Sequence, residues 1–405
     1  MTYSLNNLAY CSNVHPGEDV EAVIQNIQTH FVAVKQRRNL QDMASGLWLS
    51  YKAANALRAK PALFNRFKQV LKESGLRLTS LNGFPFGDFH QAVVKQNVYL
   101  PTWADRQRLE YTQSLAEILA SCLPSDENKG AISTLPLAYA ADWSDAQQQM
   151  AISQFIHLAN FLAELEQQTN KQIVICIEME PDCVLQHTEQ LTGFFIQQLL
   201  PAAEQIGVTK ETILRYIGCC YDTCHQAVMG ENITESLQQI TYSGIQIGKI
   251  QISNAIQANI DSIEQVQQLT ELFADKKFLH QTKVFINNEL VEELADLSFE
   301  QLEQARERKT NEDLHSITAT IHYHIPVNQN AADLPLSFVS ATQGAILQTL
   351  DFLQTHQQYR PFLEIETYTW LNFLQQEIDK NASLHAGFAA EFSWLEQALL
   401  QRNML

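Results

Sequence analysis

The sequence predicts an α/β chain closed into a (β/α)₈ TIM barrel, and three observations carry that expectation. Short apolar, β-branched runs alternate with longer helical patterns along the whole chain. Runs such as Ile173-Val174-Ile175-Cys176-Ile177 are apolar on both faces, as a parallel strand is when helices cover one side and a filled barrel the other. Polar residues gather at the ends of many different strands, where barrel active sites are built. No dinucleotide glycine fingerprint or P-loop follows any strand, so an open nucleotide-binding sheet lacks support.

The strands expected in order are Leu8–Val14, Gly46–Tyr51, Leu76–Asn82, Ile132–Ala138, Gln172–Pro181, Tyr216–Asp222, Gly248–Ser253, Ile317–Val327 and Phe362–Thr369. Nine candidates for eight barrel positions mean that one belongs to an insertion. Helical patterns read at Val20–Val34, Arg106–Ala120, Gln147–Gln167, Glu189–Ile206, Ser262–Phe273, Phe299–Arg308, Thr342–Gln357 and Tyr368–Gln401. In the third of these, Ile152, Phe155, Ala159, Leu162 and Leu165 recur at three- and four-residue steps and form one apolar stripe. Residues 1–405 read as a single domain, with an enlarged insertion at about 256–360 between strands seven and eight and a C-terminal helix.

Composition narrows the function. With 45 Asp+Glu against 27 Lys+Arg, the formal charge is −18, which repels polyanions and argues against a nucleic-acid partner. No run reaches the roughly 20 apolar residues of a membrane span, and the N-terminus lacks a signal-peptide pattern. Seven cysteines, several in apolar runs, suit packed reduced thiols and a cytoplasmic location.

The chemistry is expected where strands end in polar residues spaced i, i+2, which share one face roughly 6.6 Å apart. The pairs are Asn13 and His15, Glu178 and Glu180, Cys220 and Asp222, Gln251 and Ser253, His322 and His324, and Glu364 and Glu366. Buried acids must be paired, protonated or bound to a metal. Glu180, Asp222 and Glu366 converging with imidazoles suggest a divalent metal site with mixed oxygen and nitrogen ligands. Plainer roles stand beside these: Asp222 as a helix cap with His225 in the first turn, Glu178 and Glu180 salt-bridged, and one of His322 and His324 in the core. The aromatic segments Phe84-Pro85-Phe86, Tyr99–Trp103 and Tyr368/Trp370 read equally as a pocket lining or as packing.

Glu180 in Ile177-Glu178-Met179-Glu180-Pro181, the run Asp222-Thr223-Cys224-His225 and the late Glu366 resemble the xylose-isomerase-like TIM barrels, which include sugar isomerases and epimerases. Tyr10–Glu18, Asn82–Gly87, Tyr221–Val228, Lys249–Ser253 and Glu364–Trp370 further resemble the EboE-type metabolite-traffic proteins of that superfamily. The resemblance implies a divalent metal (Mn, Mg or Zn) bound by Glu180, Asp222, Gln251 and Glu366, with Glu180 and Glu366 as acid/base residues. Gln251 departs from the pattern, which has His there, and Met179 stands where Pro is expected. Glu178, His225, His322, His324, His280, Glu364, His15 and Asn82 are candidate additional ligands or substrate contacts. The implied activity is metal-assisted proton transfer next to a carbonyl of a small polar metabolite, with other proteins of the same traffic cluster as partners. A non-catalytic metabolite-binding or handoff protein is the first alternative, and an endonuclease-IV-like phosphoesterase the second.

Overall fold

In a computed structural model, eight parallel strands form a ring. The described residues are 2–91, 94–274, 276–310, 317–373 and 379–405. In chain order the strands are β1 (Ala9–Tyr10), β2 (Met43–Trp48), β3 (Leu76–Asn82), β4 (Lys129–Thr134), β5 (Gln172–Glu178), β6 (Ile217–Asp222), β7 (Ile247–Ile252), β8 (Asn254–Ile260), β9 (Thr282–Ile286), β10 (Glu289–Leu294), β11 (Ile317–Ile325), β12 (Val339–Ala341) and β13 (Phe362–Ile365). The barrel runs β1-β13-β7-β6-β5-β4-β3-β2, and a parallel bridge between Cys11 and Gly46 joins its two ends. The chain is a (β/α)₈ barrel with an insertion between its seventh and eighth strands.

Strand alternation sorts side chains between two cores. On β5, Ile173, Ile175 and Ile177 face the helices, whereas Val174 and Cys176 join Ala131 and Cys220 in a small-residue plug inside the barrel. The next polar level inside holds a buried ion pair. Lys249 Nζ lies 2.9 Å from Glu364 Oε1, and both side chains are fully buried. Ser80 donates to the other Glu364 oxygen, and Lys249 donates to Ser133 Oγ at 3.3 Å. Burial disfavours the ammonium form of Lys249, but Glu364 outweighs it and holds that pKa above the usual lysine range. A Cβ on Gly46 would meet Glu364 Oε2 at 1.9 Å, so only glycine leaves room for this carboxylate.

The eighth expected strand, Ile317–Val327, is β11, and it is the one that lies outside the barrel. It is the centre of a second, antiparallel sheet of order β10-β9-β11-β8-β12 with its own apolar core around Ile256, Ile260, Val266, Leu302 and Ile321. β8 follows β7 after the single residue Ser253, so the sheet springs directly from the barrel rim. The C-terminal pattern resolves into helices Trp370–Phe373 and Lys380–Leu400, and its stretch 374–378 lies outside the described residues. All seven cysteines are free, six of them buried. Among the described residues no helix is long and apolar enough to cross a membrane.

Candidate functional site

β5, β6 and β13 end beneath a pocket that opens to solvent. Its floor includes Glu178, Glu180, His225, Glu366, Asn13 and Asn82, and its upper wall includes Phe84, Phe89, Phe278 and Tyr368. The inserted sheet supplies His322, His324 and Gln281. The β8–β11 ladder shifts register between Ile321 and Ile325, so residues 322–324 leave it where the two histidines turn toward the barrel.

Asp222 caps a helix with one carboxylate oxygen and leaves the other free among the neighbouring acids. As N-cap of the helix Thr223–Val228, its Oδ1 accepts from the backbone N–H groups of Cys224 (2.8 Å) and His225 (3.0 Å), and from Ser253 Oγ (2.6 Å). Its Oδ2 is buried without a hydrogen-bond partner, as is Glu178 Oε2. Carboxylate oxygens of Glu178, Asp222 and Glu366 lie within 4.8 Å of one another. Glu366 Oε1 accepts from Asn13 Nδ2 (3.0 Å) and Asn82 Nδ2 (3.2 Å).

Burial pushes the Glu178 and Glu366 carboxyls well above the usual range, and the acids around each push further. Burial acts the same way on Asp222, but neighbouring His225 and His324 and the Ser253 hydroxyl bring it below its ordinary value. Burial raises Glu180 to about 7 against the pull of His225 and of the Tyr99 hydroxyl, which donates to Glu180 Oε1 at 2.8 Å. Burial lowers His324 to about 4 and takes His322 well below the imidazole range. Three buried acids, two of them with an unpartnered oxygen, fit a divalent cation, because a cation offsets both their mutual repulsion and the cost of burying them.

Other candidates sit elsewhere. Gln251 points into the barrel, but its Oε1 accepts the Cys220 thiol at 3.1 Å, its Nε2 has no partner, and it does not line the pocket. Glu364 lies one level down, in the Lys249 ion pair. His15 follows the 3₁₀ turn Ser12–Val14, which breaks the strand alternation, so it turns to Tyr10 (3.1 Å) and stacks on His30. His280 sits 2.8 Å from the His322 carbonyl and packs on Tyr323, outside the pocket wall.

Gln281, next in sequence to His280, faces the site instead. Its Nε2 donates to Tyr99 Oη (3.0 Å) and to the Pro181 carbonyl (3.3 Å), and its Oε1 lies 2.8 Å from His322 Nδ1. The extended run Leu279-His280-Gln281 signals that alternate residues point inward, but not which set.

No protein-family model and no curated protein matches the chain. Among solved structures it is similar to an IolI protein with a bound zinc atom, at 10% identity over 97% of this chain and 98% of that one, TM-score 0.47. A D-tagatose 3-epimerase-like protein aligns at 12% identity over 98% of each chain, TM-score 0.45. A sugar phosphate isomerase/epimerase candidate from Anabaena variabilis aligns at 13% identity over 60% of this chain and 72% of that one, TM-score 0.38.

Proposed function

We propose that this protein moves a proton next to a carbonyl of a small, uncharged hydroxy-carbonyl metabolite, in the manner of an isomerase or epimerase. The observation that carries the reading is the Glu178–Asp222–Glu366 cluster at the base of an aromatic-walled pocket. These three residues would hold a divalent cation, which when bound supplies Lewis-acid polarisation of the substrate oxygens. Of the ligands the resemblance implies, Asp222 and Glu366 belong to this cluster. Glu180 is left for proton transfer: it lines the pocket, and the Tyr99 hydroxyl orients it. A carboxyl near pKa 7 is divided between acid and base at neutral pH, which suits taking a proton and returning it. Glu366, held by two asparagine amides, is the second acid/base group.

The lining also bears on substrate class. Among the described residues that line the pocket Lys95 is the one lysine or arginine, and its ammonium is bound to Asp296 (2.5 Å) and to the Phe278 carbonyl (2.8 Å). With that charge engaged and three acids on the floor, the pocket favours an uncharged ligand with an apolar portion over a phosphate ester. The reading treats residues 1–405 as one working unit, because both sheets line the pocket, and places it in an EboE-type metabolite-traffic setting on the sequence resemblance.

The test is solvent exchange. Protein purified without chelator, and loaded with Mn²⁺ or Zn²⁺, is incubated in D₂O with a panel of unphosphorylated ketoses and aromatic hydroxy-ketones. Deuterium incorporation in the parent, falling at least about tenfold in Glu180→Gln and Glu366→Gln, is the expected result. Binding of a panel compound without any exchange would instead favour the handoff protein, a reading supported by Gln251 standing where the resemblance has His.

A further inference from the structure

His225, His322 and His324 meet with their Nε2 atoms together. His225 Nε2 is 3.0 Å from His322 Nε2, which is 3.2 Å from His324 Nε2. All three residues are buried. Two imidazoles this close normally share a proton, one ring donating and the other accepting. The opposite nitrogen of each ring shows that this is not the arrangement here.

His225 Nδ1 lies 2.8 Å from the Met179 carbonyl, and His324 Nδ1 lies 2.9 Å from the Glu366 carbonyl. A carbonyl only accepts, so both Nδ1 atoms carry the hydrogen. His322 Nδ1 lies 2.8 Å from Gln281 Oε1. That amide is oriented by its NH₂ donating to the Pro181 carbonyl, so His322 also donates from Nδ1. The neutral form of every ring therefore presents a bare lone pair at Nε2, and three lone pairs converge. One proton can bridge a single pair and leaves the third unsatisfied.

A metal ion satisfies all three at once. Tetrahedral donors at about 2.0–2.1 Å from zinc stand about 3.3 Å from one another, close to the 3.0 Å of the His225–His322 pair and the 3.2 Å of the His322–His324 pair. Ring Nδ1–H groups held by carbonyl or amide oxygens are also the usual supports of metal-bound histidines. A fourth donor is present: Asp222 Oδ2, buried without a partner, lies 4.0 Å from His225 Nε2.

We propose that His225, His322 and His324 Nε2, with Asp222 Oδ2, form a site for Zn²⁺ or another late first-row divalent ion. Its donors are mostly nitrogen, so it selects such ions over Mg²⁺, whereas the carboxylate cluster does not. His225 comes from the barrel and His322 and His324 from the inserted sheet, so the ion fastens the insertion across the barrel mouth. The proposal shares Asp222 with the function argued above but requires no turnover.

Chelator-stripped full-length protein is titrated with Co²⁺ and read by visible absorption, which is intense for tetrahedral cobalt and weak for octahedral. The parent should develop the intense spectrum. His322→Gln and His324→Gln should lose it or bind at least about tenfold more weakly, while Glu366→Gln retains it. X-ray absorption of the zinc-loaded parent, which needs no variant, should show imidazole scattering from three rings. Failure of the parent to take up cobalt, a weak octahedral spectrum, or fewer than two imidazoles would each overturn the proposal. So would a spectrum lost in Glu366→Gln but kept in both histidine variants. A sulfur-to-cobalt charge-transfer band would overturn the place given to Asp222 and put Cys224, whose Sγ also lies near His322 and His324, in its stead. A zinc-loaded protein that exchanges no deuterium fails the proton-transfer reading and leaves this one standing.

Discussion

Lys249→Met should destabilise the protein more than a surface charge deletion would, and Glu364→Gln should rescue part of the loss. The two charges lie 2.9 Å apart with no exposed side-chain surface. At an effective dielectric of about 20, that separation corresponds to an attraction of about 6 kcal/mol, set against several kcal/mol of desolvation for each ion. The pair is thus near balance as a unit, but removing one partner strands a charge that cannot leave. Gly46 closes one side of Glu364, and among the described residues Ser80 is the only other polar side chain bonded to it. Breaking a buried pair costs about 3–5 kcal/mol, so each single variant should fall by that amount. The double variant Lys249→Met/Glu364→Gln should recover at least about 2 kcal/mol of the summed loss. Urea unfolding followed by tryptophan fluorescence reads the cycle, and metal content is measured on each folded protein. Additive losses would refute the ion-pair argument. Metal lost from folded Glu364→Gln would refute the structural role given to Glu364 and return it to the ligands.

Gln251→His should leave metal affinity by calorimetry within about threefold of the parent, because position 251 addresses Cys220 below the pocket; a gain of tenfold or more, about 1.4 kcal/mol, would put it among the ligands. The His15, His30 and His385 group should make the fold acid-sensitive. Burial, with the neighbouring imidazoles adding to it, holds His15 well below 6.5 and His30 near 4. The unfolded chain then binds more protons between about pH 4 and 6.5, so stability is complete above that window and falls with pH through it. His30→Gln should flatten the fall in thermal midpoint over this range, and an unchanged slope would dismiss the cluster as its source. Duplex DNA should not bind at physiological salt, and a salt-dependent micromolar complex would revive the phosphoesterase alternative.

The barrel strands were legible because burial on both faces leaves an apolar run that no loop would carry. Leu76–Asn82 falls at its expected limits, and β5, β6 and β7 fall within a few residues of theirs. The second sheet was not legible beyond β11. β8 is Asn254-Ala255-Ile256-Gln257-Ala258-Asn259-Ile260, whose Asn, Gln and Ala residues are poor strand formers; only burial of Ile256, Ala258 and Ile260 against the insertion's own core makes it a strand. β10, Glu289-Leu290-Val291-Glu292-Glu293-Leu294, carries the charge of a helix surface and is a strand because β9 pairs with it.

For the site, the i, i+2 spacing identified which face each side chain takes but not its depth. Glu364 and Glu366 share a face of one chain segment, and two residues of rise separate a closed ionic level from an open pocket. Cys220 and Asp222 divide in the same way, one against Gln251 and the other among the acids. Depth depends on the stagger of neighbouring strands, which lies in the register between segments far apart in the chain, 113 residues for Lys249 and Phe362, and not in any one of them. His322 and His324 invert the problem. Their spacing was legible, and so was their place in the insertion, but not the register shift after Ile321, where both rings turn over the barrel mouth. The nitrogen-rich half of the site therefore comes from an inserted sheet, and its two histidines can reach His225 only because that sheet begins one residue after β7.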